Sequence, residues 1–246
     1  MAGADPLPAA EPVPVSVRTA DLPLRLASAV VMLAVGGLAL AIGGRALDAF
    51  IALVALAAFG EFARLVVLAT PSLPLRALGV LAGAAYIGMA ALMLIGAGTF
   101  LLLLVLGITV FTDTGAYFAG RAIGGPKIAP RISPSKTWAG LAGGMAASVA
   151  WMFIWMFAIV DGPFGWPRFD VGLNMSVQNS VGAVALGALL AVVAQVGDFF
   201  ESWLKRRARV KDSSRLIPGH GGVLDRIDGL IPVVLVAGAI ATTMVV

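Results

Sequence analysis

From Leu24 onward the chain alternates long apolar runs with short polar breaks, and the runs fall at about 24–44, 46–69, 75–96, 99–119, 138–160, 177–200 and 229–246. Each comes near the roughly 20 apolar residues that a helix needs to cross the hydrocarbon core of a bilayer. The pattern therefore predicts about seven transmembrane helices, within a range of about six to nine because soft boundaries can hide or split a run. The second run is interrupted by Gly60, Glu61 and Arg64 and is expected to bend there. Before the first run, MAGADPLPAAEPVPVSVRTADLP holds five prolines and no apolar stretch, which reads as a disordered tail over residues 1–23. A cleavable signal is not expected, since the first 17 residues lack a basic region and the apolar stretch that follows is too long.

Composition agrees with the pattern and removes the alternatives. Only 12% of the residues are charged and 60% are hydrophobic, whereas a soluble domain carries about a quarter charged residues. A mean hydropathy of +0.99 is the opposite of the signature of a disordered chain. The expected fold class is an all-α, polytopic membrane helical bundle occupying residues 24–246, with polar loops at about 120–137 and 201–228. The absence of cysteine excludes disulfides, thiolate nucleophiles and Cys-based metal sites.

Placing the N-terminus inside puts fifteen of the 17 Lys and Arg residues in cytoplasmic segments, and leaves only Arg45 and Arg168 outside. That asymmetry is the one expected of a membrane protein. Both polar loops then face the cytoplasm. Orientation explains the basic residues, but acids contribute little to it. Yet Asp198, Glu201, Asp212, Asp225 and Asp228 all fall in one segment of a chain with 13 acids.

Asp113 and Asp198 sit near the ends of apolar runs, where an ionisable residue is a functional candidate or a helix-end residue reaching the headgroups. If the helix bearing Asp198 continues, Ser202 and Lys205 lie on the same face. Asp113 and Tyr117 share a face in the same way, with Gly115 and Gly120 permitting close helix approach. Three glycines surround the single histidine in Gly219-His220-Gly221-Gly222, a plain loop or a turn offering N–H groups to phosphate. Asp225 and Asp228 follow at a spacing that can turn both carboxylates towards one hard cation. In Ser133-Pro134-Ser135-Lys136-Thr137-Trp138, Ser135 or Thr137 can cap the fifth helix, and the same helix start suits an anion.

These residues resemble the phosphatidate cytidylyltransferases, or CDP-diacylglycerol synthases. The family's signature stands here as Ser202-Trp203-Leu204-Lys205-Arg206, then Lys211-Asp212, then His220-Gly221-Gly222-Val223-Leu224-Asp225-Arg226-Ile227-Asp228. Asp113-Thr114-Gly115-Ala116-Tyr117 with Gly120-Arg121, the Ser133 to Trp138 block and Gln195-Val196-Gly197-Asp198 also look like the family. The resemblance covers residues 113–228 and departs at Ser135 and Ala139, where many members carry lysine and glutamate.

The resemblance implies a transmembrane catalytic domain that joins CTP to phosphatidic acid, giving CDP-diacylglycerol and pyrophosphate, with Mg²⁺ and in some members a second monovalent cation such as K⁺. Carried over residue by residue, Asp198 and Asp225 are the principal expected metal ligands, with Asp228 and Asp212 weaker candidates. Lys205, Arg206, Lys211 and Arg226 are expected on phosphates, and Ser133, Lys136 and Thr137 on the opposite wall. Ser202 and Asp113 join the substrate-binding set, Asp113 as a holder of a second cation or of a lysine. His220, Gly221 and Gly222 are expected to shape a phosphate-binding turn, with His220 not acting as a base. The implied location is a bacterial inner membrane, among membrane lipids, with the site on the cytoplasmic side and no nucleic-acid partner. Small-residue stretches such as LAGGMAASVA suit close packing, within the chain or in a homodimer. A transporter or flippase of phosphorylated lipids is the alternative, but it predicts broken mid-span helices and repeats that are not evident here. A CDP-alcohol phosphotransferase would need a D-G-x-x-A-R stretch that the chain lacks.

Overall fold

The computed structural model describes residues 22–160 and 177–244. The expected tail lies outside these residues except for Leu22 and Pro23, which already belong to the first helix, and Arg168 also lies outside them. In chain order the elements are α1 (Leu22–Ile42), α2 (Gly44–Ala69), α3 (Leu73–Ala122), β1 (Lys127–Ala129), β2 (Ser133–Thr137), α4 (Trp138–Val160), α5 (Val177–Arg207), α6 (Leu224–Ile227) and α7 (Leu230–Met244).

Among the described residues five helices are long and apolar enough to cross a membrane, and α7 is a shorter apolar helix. One of the five, α3, is 50 residues long, and a straight helix of that length would run about 75 Å. That is far more than the roughly 30 Å of hydrocarbon. Gly98 resolves the mismatch, because its φ of 68° and ψ of −165° break the helix into two spans. Gly43, with φ 65° and ψ −164°, makes the same break between α1 and α2. A side chain is strained in this backbone region and glycine is not. The seven apolar runs thus appear as seven apolar helical segments in an all-α membrane bundle.

The second run forms one helix, α2, without a break from Gly44 to Ala69. Its polar residues are met by tertiary hydrogen bonds, so the helix has no need to interrupt itself. The 120–137 loop is partly a two-stranded antiparallel hairpin, pairing Lys127 with Thr137 and Ala129 with Ser133.

The core lies where α2, the second half of α3, α5 and α7 meet, with Leu65, Val105, Ile108, Leu190, Val233 and Val234 fully buried. Leu33, Leu56 and Leu92 point outward and remain exposed, as suits helix faces solvated by lipid rather than water. Only Ala39 of α1 is buried. A hydrogen bond of 2.8 Å between Ser28 Oγ and His220 Nδ1 ties α1 to the distant loop.

Small residues bring the second half of α3 against α4. A Cβ on Gly115 would lie 2.5 Å from both the Ala147 Cβ and the Gly143 carbonyl oxygen, and one on Gly143 would lie 2.2 Å from the Ala119 Cβ. The stripe in LAGGMAASVA is therefore used inside the chain. Replacing Gly143 by leucine should force these backbones apart and lower stability by about 1–3 kcal/mol. Gly36→Ala on α1, a mid-helix position where a Cβ meets nothing within 4 Å, should instead leave stability unchanged or raise it by up to about 1 kcal/mol. Thermal unfolding in detergent checks both.

Candidate active site

At the end of the bundle where α5 stops and α7 begins, a cavity of about 550 Å³ opens among polar side chains. Asp113 and Tyr117 reach it from α3, Lys136 and Thr137 from β2, Asp198 from α5, and Asp225 and Asp228 from the segment that follows. Local sequence explains the convergence. Because α5 continues past its apolar stretch to Arg207, Asp198, Glu201 and Lys205 fall on successive turns of one face. Gly197 lets the 228–229 backbone lie directly on that helix, since a Cβ there would come within 2.4 Å of the Asp228 carbonyl oxygen. Thr137 Oγ1 accepts a 3.0 Å hydrogen bond from the Gly140 N–H, so it caps the start of α4 while its strand carries Lys136 into the cavity.

Charges in this region are paired across elements. Lys136 forms an ion pair with Asp198. Lys205 donates to Glu201 at 2.5 Å and to Asp225 at 2.7 Å, which bridges two carboxylates whose side chains are only 4% and 5% exposed. Asp225 also accepts from the Ser213 N–H at 2.9 Å, the Ser213 hydroxyl at 2.9 Å and the Gly222 N–H at 2.8 Å. Burial by itself would raise the Asp225 carboxyl, but the Lys205 ammonium and the backbone donors outweigh it and hold the group at about 2. Asp228 goes the other way. Burial, reinforced by the negative charges of Asp198 and Glu201, pushes its carboxyl up to about 9, against one donor in the Gly229 N–H.

Behind the cavity, the 213–224 segment rests on α2. Glu61 accepts hydrogen bonds from the Ser213 and Ser214 hydroxyls and from the Val223 and Leu224 N–H groups. Arg64 donates to the Ser213 carbonyl at 2.6 Å.

Of the residues singled out in the sequence, Asp113, Lys136, Thr137, Asp198, Asp225 and Asp228 line the cavity, and Lys205 is held against Asp225. Ser133 and Ser202 are half-buried but are not among the lining residues. Arg206 turns to the Ile132 carbonyl at 3.4 Å, while Lys211 and Asp212 are exposed. His220 is engaged with Ser28. The Gly222 N–H is directed at Asp225, and Gly221 takes a φ of 86°. Arg226 donates to the His220 carbonyl at 2.8 Å and borders an apolar groove, though it remains within electrostatic reach of Asp113. Sequence reading missed Glu61, Ser213 and the partnership of Glu201 with Lys205. The last had a signal, an acid four residues before a lysine on a helix. Glu61 had one too, as a lone acid inside an apolar run.

A hard cation suits the donor set. Among the described residues no three acidic or histidine side chains are gathered as a closed metal cage, but Mg²⁺ is commonly held by one or two carboxylates, with water and substrate phosphates completing the shell. Asp113 and Asp228 both lie within electrostatic reach of Asp198, and the four aspartates lining the cavity outnumber its two lining cations, Lys136 and Arg121. Asp198 and Asp225 are the carboxylates that could ligate, with Asp228 beside them.

The model of a family described as "Cytidylyltransferase family" matches residues 75–244. A phosphatidate cytidylyltransferase of Brucella suis biovar 1 is 47% identical over 120 residues, covering 49% of this chain and 38% of that protein. The Haemophilus influenzae protein of the same name is 42% identical over 133 residues, covering 54% and 42%. That of Rickettsia conorii is 36% identical over 124 residues, half of each chain. The matched stretch thus spans half or less of the length of these curated relatives.

Lys205→Met should leave Glu201 and Asp225 buried without their cation. Breaking a buried pair in this way costs about 3–5 kcal/mol, and Lys205→Arg, which keeps the charge, should cost less. Unfolding midpoints of the two variants in detergent check the difference.

Proposed function

Because the chain belongs to the cytidylyltransferase family, we propose that it transfers CMP from CTP to phosphatidic acid, releasing pyrophosphate and forming CDP-diacylglycerol with Mg²⁺ as cofactor. One observation carries this reading: carboxylates from three elements and a lysine from a fourth converge on a polar cavity in an otherwise lipid-facing bundle. The names of the bacterial relatives support the choice of substrates.

The inventory suits the chemistry. A phosphate monoester has a second pKa near 6, so the phosphatidate oxygen is anionic at neutral pH and needs no general base. It attacks the α-phosphorus of CTP, a new P–O bond forms, and the bond to the β-phosphate oxygen breaks to release pyrophosphate. The difficulty is bringing two polyanions together, and catalysis of this class rests on positioning and electrostatic stabilisation. Lys136 supplies a cationic group at the cavity wall and Lys205 one behind Asp225, each oriented by its carboxylate partner. Asp198 and Asp225 would hold Mg²⁺, which when bound supplies charge neutralisation at the phosphates. Asp113 is our candidate for a second, monovalent cation. Lys211, which is exposed, and Arg226 would have to turn from their present positions to reach the nucleotide in this reading.

The membrane setting supports a lipid acceptor, because withdrawing acyl chains into water costs about 0.8 kcal/mol per CH₂. We place the site at the cytoplasmic face of the inner membrane on the strength of the basic residues in the loops that form it.

Purified protein supplied with radiolabelled CTP, phosphatidic acid and Mg²⁺ should form labelled CDP-diacylglycerol, and a chelator should abolish it. Asp198→Asn and Asp225→Asn should each lower turnover by a factor on the order of 10² or more, with the protein still folded in detergent. Full activity in either variant would remove the metal assignment. His220→Ala should reduce turnover without changing the pH profile, since His220 is bound to Ser28 and does not face the cavity. Loss of one limb of the profile in that variant would make His220 a base after all.

A further inference from the structure

Glu61 stands in the second half of a membrane-spanning helix, among the apolar residues of FGEFARLVV, and is only 6% exposed. It precedes residues 75–244, the stretch matched to the family. A carboxylate in such a place is costly unless it is fully hydrogen-bonded. Each of its oxygens accepts two bonds. Oε1 takes the Ser214 hydroxyl at 2.6 Å and the Val223 N–H at 3.1 Å. Oε2 takes the Ser213 hydroxyl at 2.9 Å and the Leu224 N–H at 2.7 Å. All four donors come from the segment that leads into Asp225, and two of them are the backbone groups immediately before it.

The connection continues to the cavity. Ser213 Oγ is 2.9 Å from Asp225 Oδ2 as well as from Glu61 Oε2, and its backbone N–H also donates to Asp225. A serine hydroxyl has one proton to donate, so Glu61 and Asp225 compete for it. Gly222 reports how closely this segment lies on α2. A Cβ there would fall 2.0 Å from Ser213 Oγ and 2.4 Å from Glu61 Oε2.

We propose that Glu61 is a positioning residue for the active site, holding the 213–224 segment and, through Ser213, setting the direction of the Asp225 carboxylate. The proposal rests on the reading of Asp225 as a Mg²⁺ ligand. Glu61→Gln is the informative change, since it keeps the shape but can place an NH₂ against the Leu224 N–H, donor against donor. It also removes the acceptor that holds Ser213 Oγ in place against Asp225, so the Asp225 carboxylate loses its fixed direction, as it does in Ser213→Ala.

Mg²⁺ titration of the full-length protein in detergent without substrates, read by calorimetry or by Mg²⁺-dependent thermal shift, tests it alongside turnover against Mg²⁺ concentration. Residues that orient a metal ligand typically govern about 10- to 100-fold in metal affinity. Glu61→Gln should weaken Mg²⁺ binding by about tenfold or more, Ser213→Ala should do likewise, and the double variant should fall well short of the product of the two. A lower melting temperature with unchanged Mg²⁺ affinity would make Glu61 a packing residue and overturn the proposal, as would fully multiplicative effects. Should Glu61→Gln fail to fold, Ser213→Ala decides alone, and wild-type Mg²⁺ affinity in it overturns the connection. Asp225→Asn separates the two readings. If it leaves Mg²⁺ binding intact, the metal assignment falls and the positioning role with it. If it weakens binding while Glu61→Gln and Ser213→Ala do not, only the positioning role falls.

Discussion

A carboxylate at the edge of the hydrocarbon must find its donors inside the protein, because lipid offers none. The site is built from the ways in which this chain meets that demand. Asp198 is matched by Lys136 from the hairpin, Asp225 and Glu201 share Lys205, and Glu61 takes four donors from one loop. Each partnership joins elements that are distant in sequence. The hairpin, α5, the 213–229 segment and α2 are therefore fastened together by the same groups that give the cavity its charge.

That arrangement separates the two lysines in function as well as in place. Lys205 answers to two nearly buried acids, so its loss is felt first as stability. Lys136, with a side chain 26% exposed, sits on a two-stranded hairpin at the cavity wall and is the less confined of the two. The depressed Asp225 and the raised Asp228 differ for the same reason. Asp225 is surrounded by donors, whereas Asp228 is buried beside other negative charge.

The packing of the bundle serves this geometry. Glycines at 115 and 143 bring α3 and α4 close enough that Asp113 and Lys136 share one cavity, and Gly197 lets the 228–229 backbone touch α5. A side chain at any of the three would displace a wall of the site. The helix α1 takes little part in the core and is joined to the loop through Ser28 and His220. This gives the single histidine of the chain a fastening role that its glycine-rich neighbourhood did not suggest.

Hydropathy alone determined the class, the seven apolar segments and the segments in which polar chemistry had to lie, because burying apolar surface in lipid depends on composition along the chain. The spacing of Asp198, Lys205, Asp225 and Asp228 also marked the site, since a helix puts residues three, four and seven apart on one face. The pairing was decided only in three dimensions. Glu61 read as an interruption that should bend α2, and it became the anchor of a loop more than 150 residues away. Gly222 read as a phosphate-binding glycine, and its N–H turned to Asp225. Which donor satisfies which buried acceptor depends on distances between elements, and periodicity within one element carries no record of them.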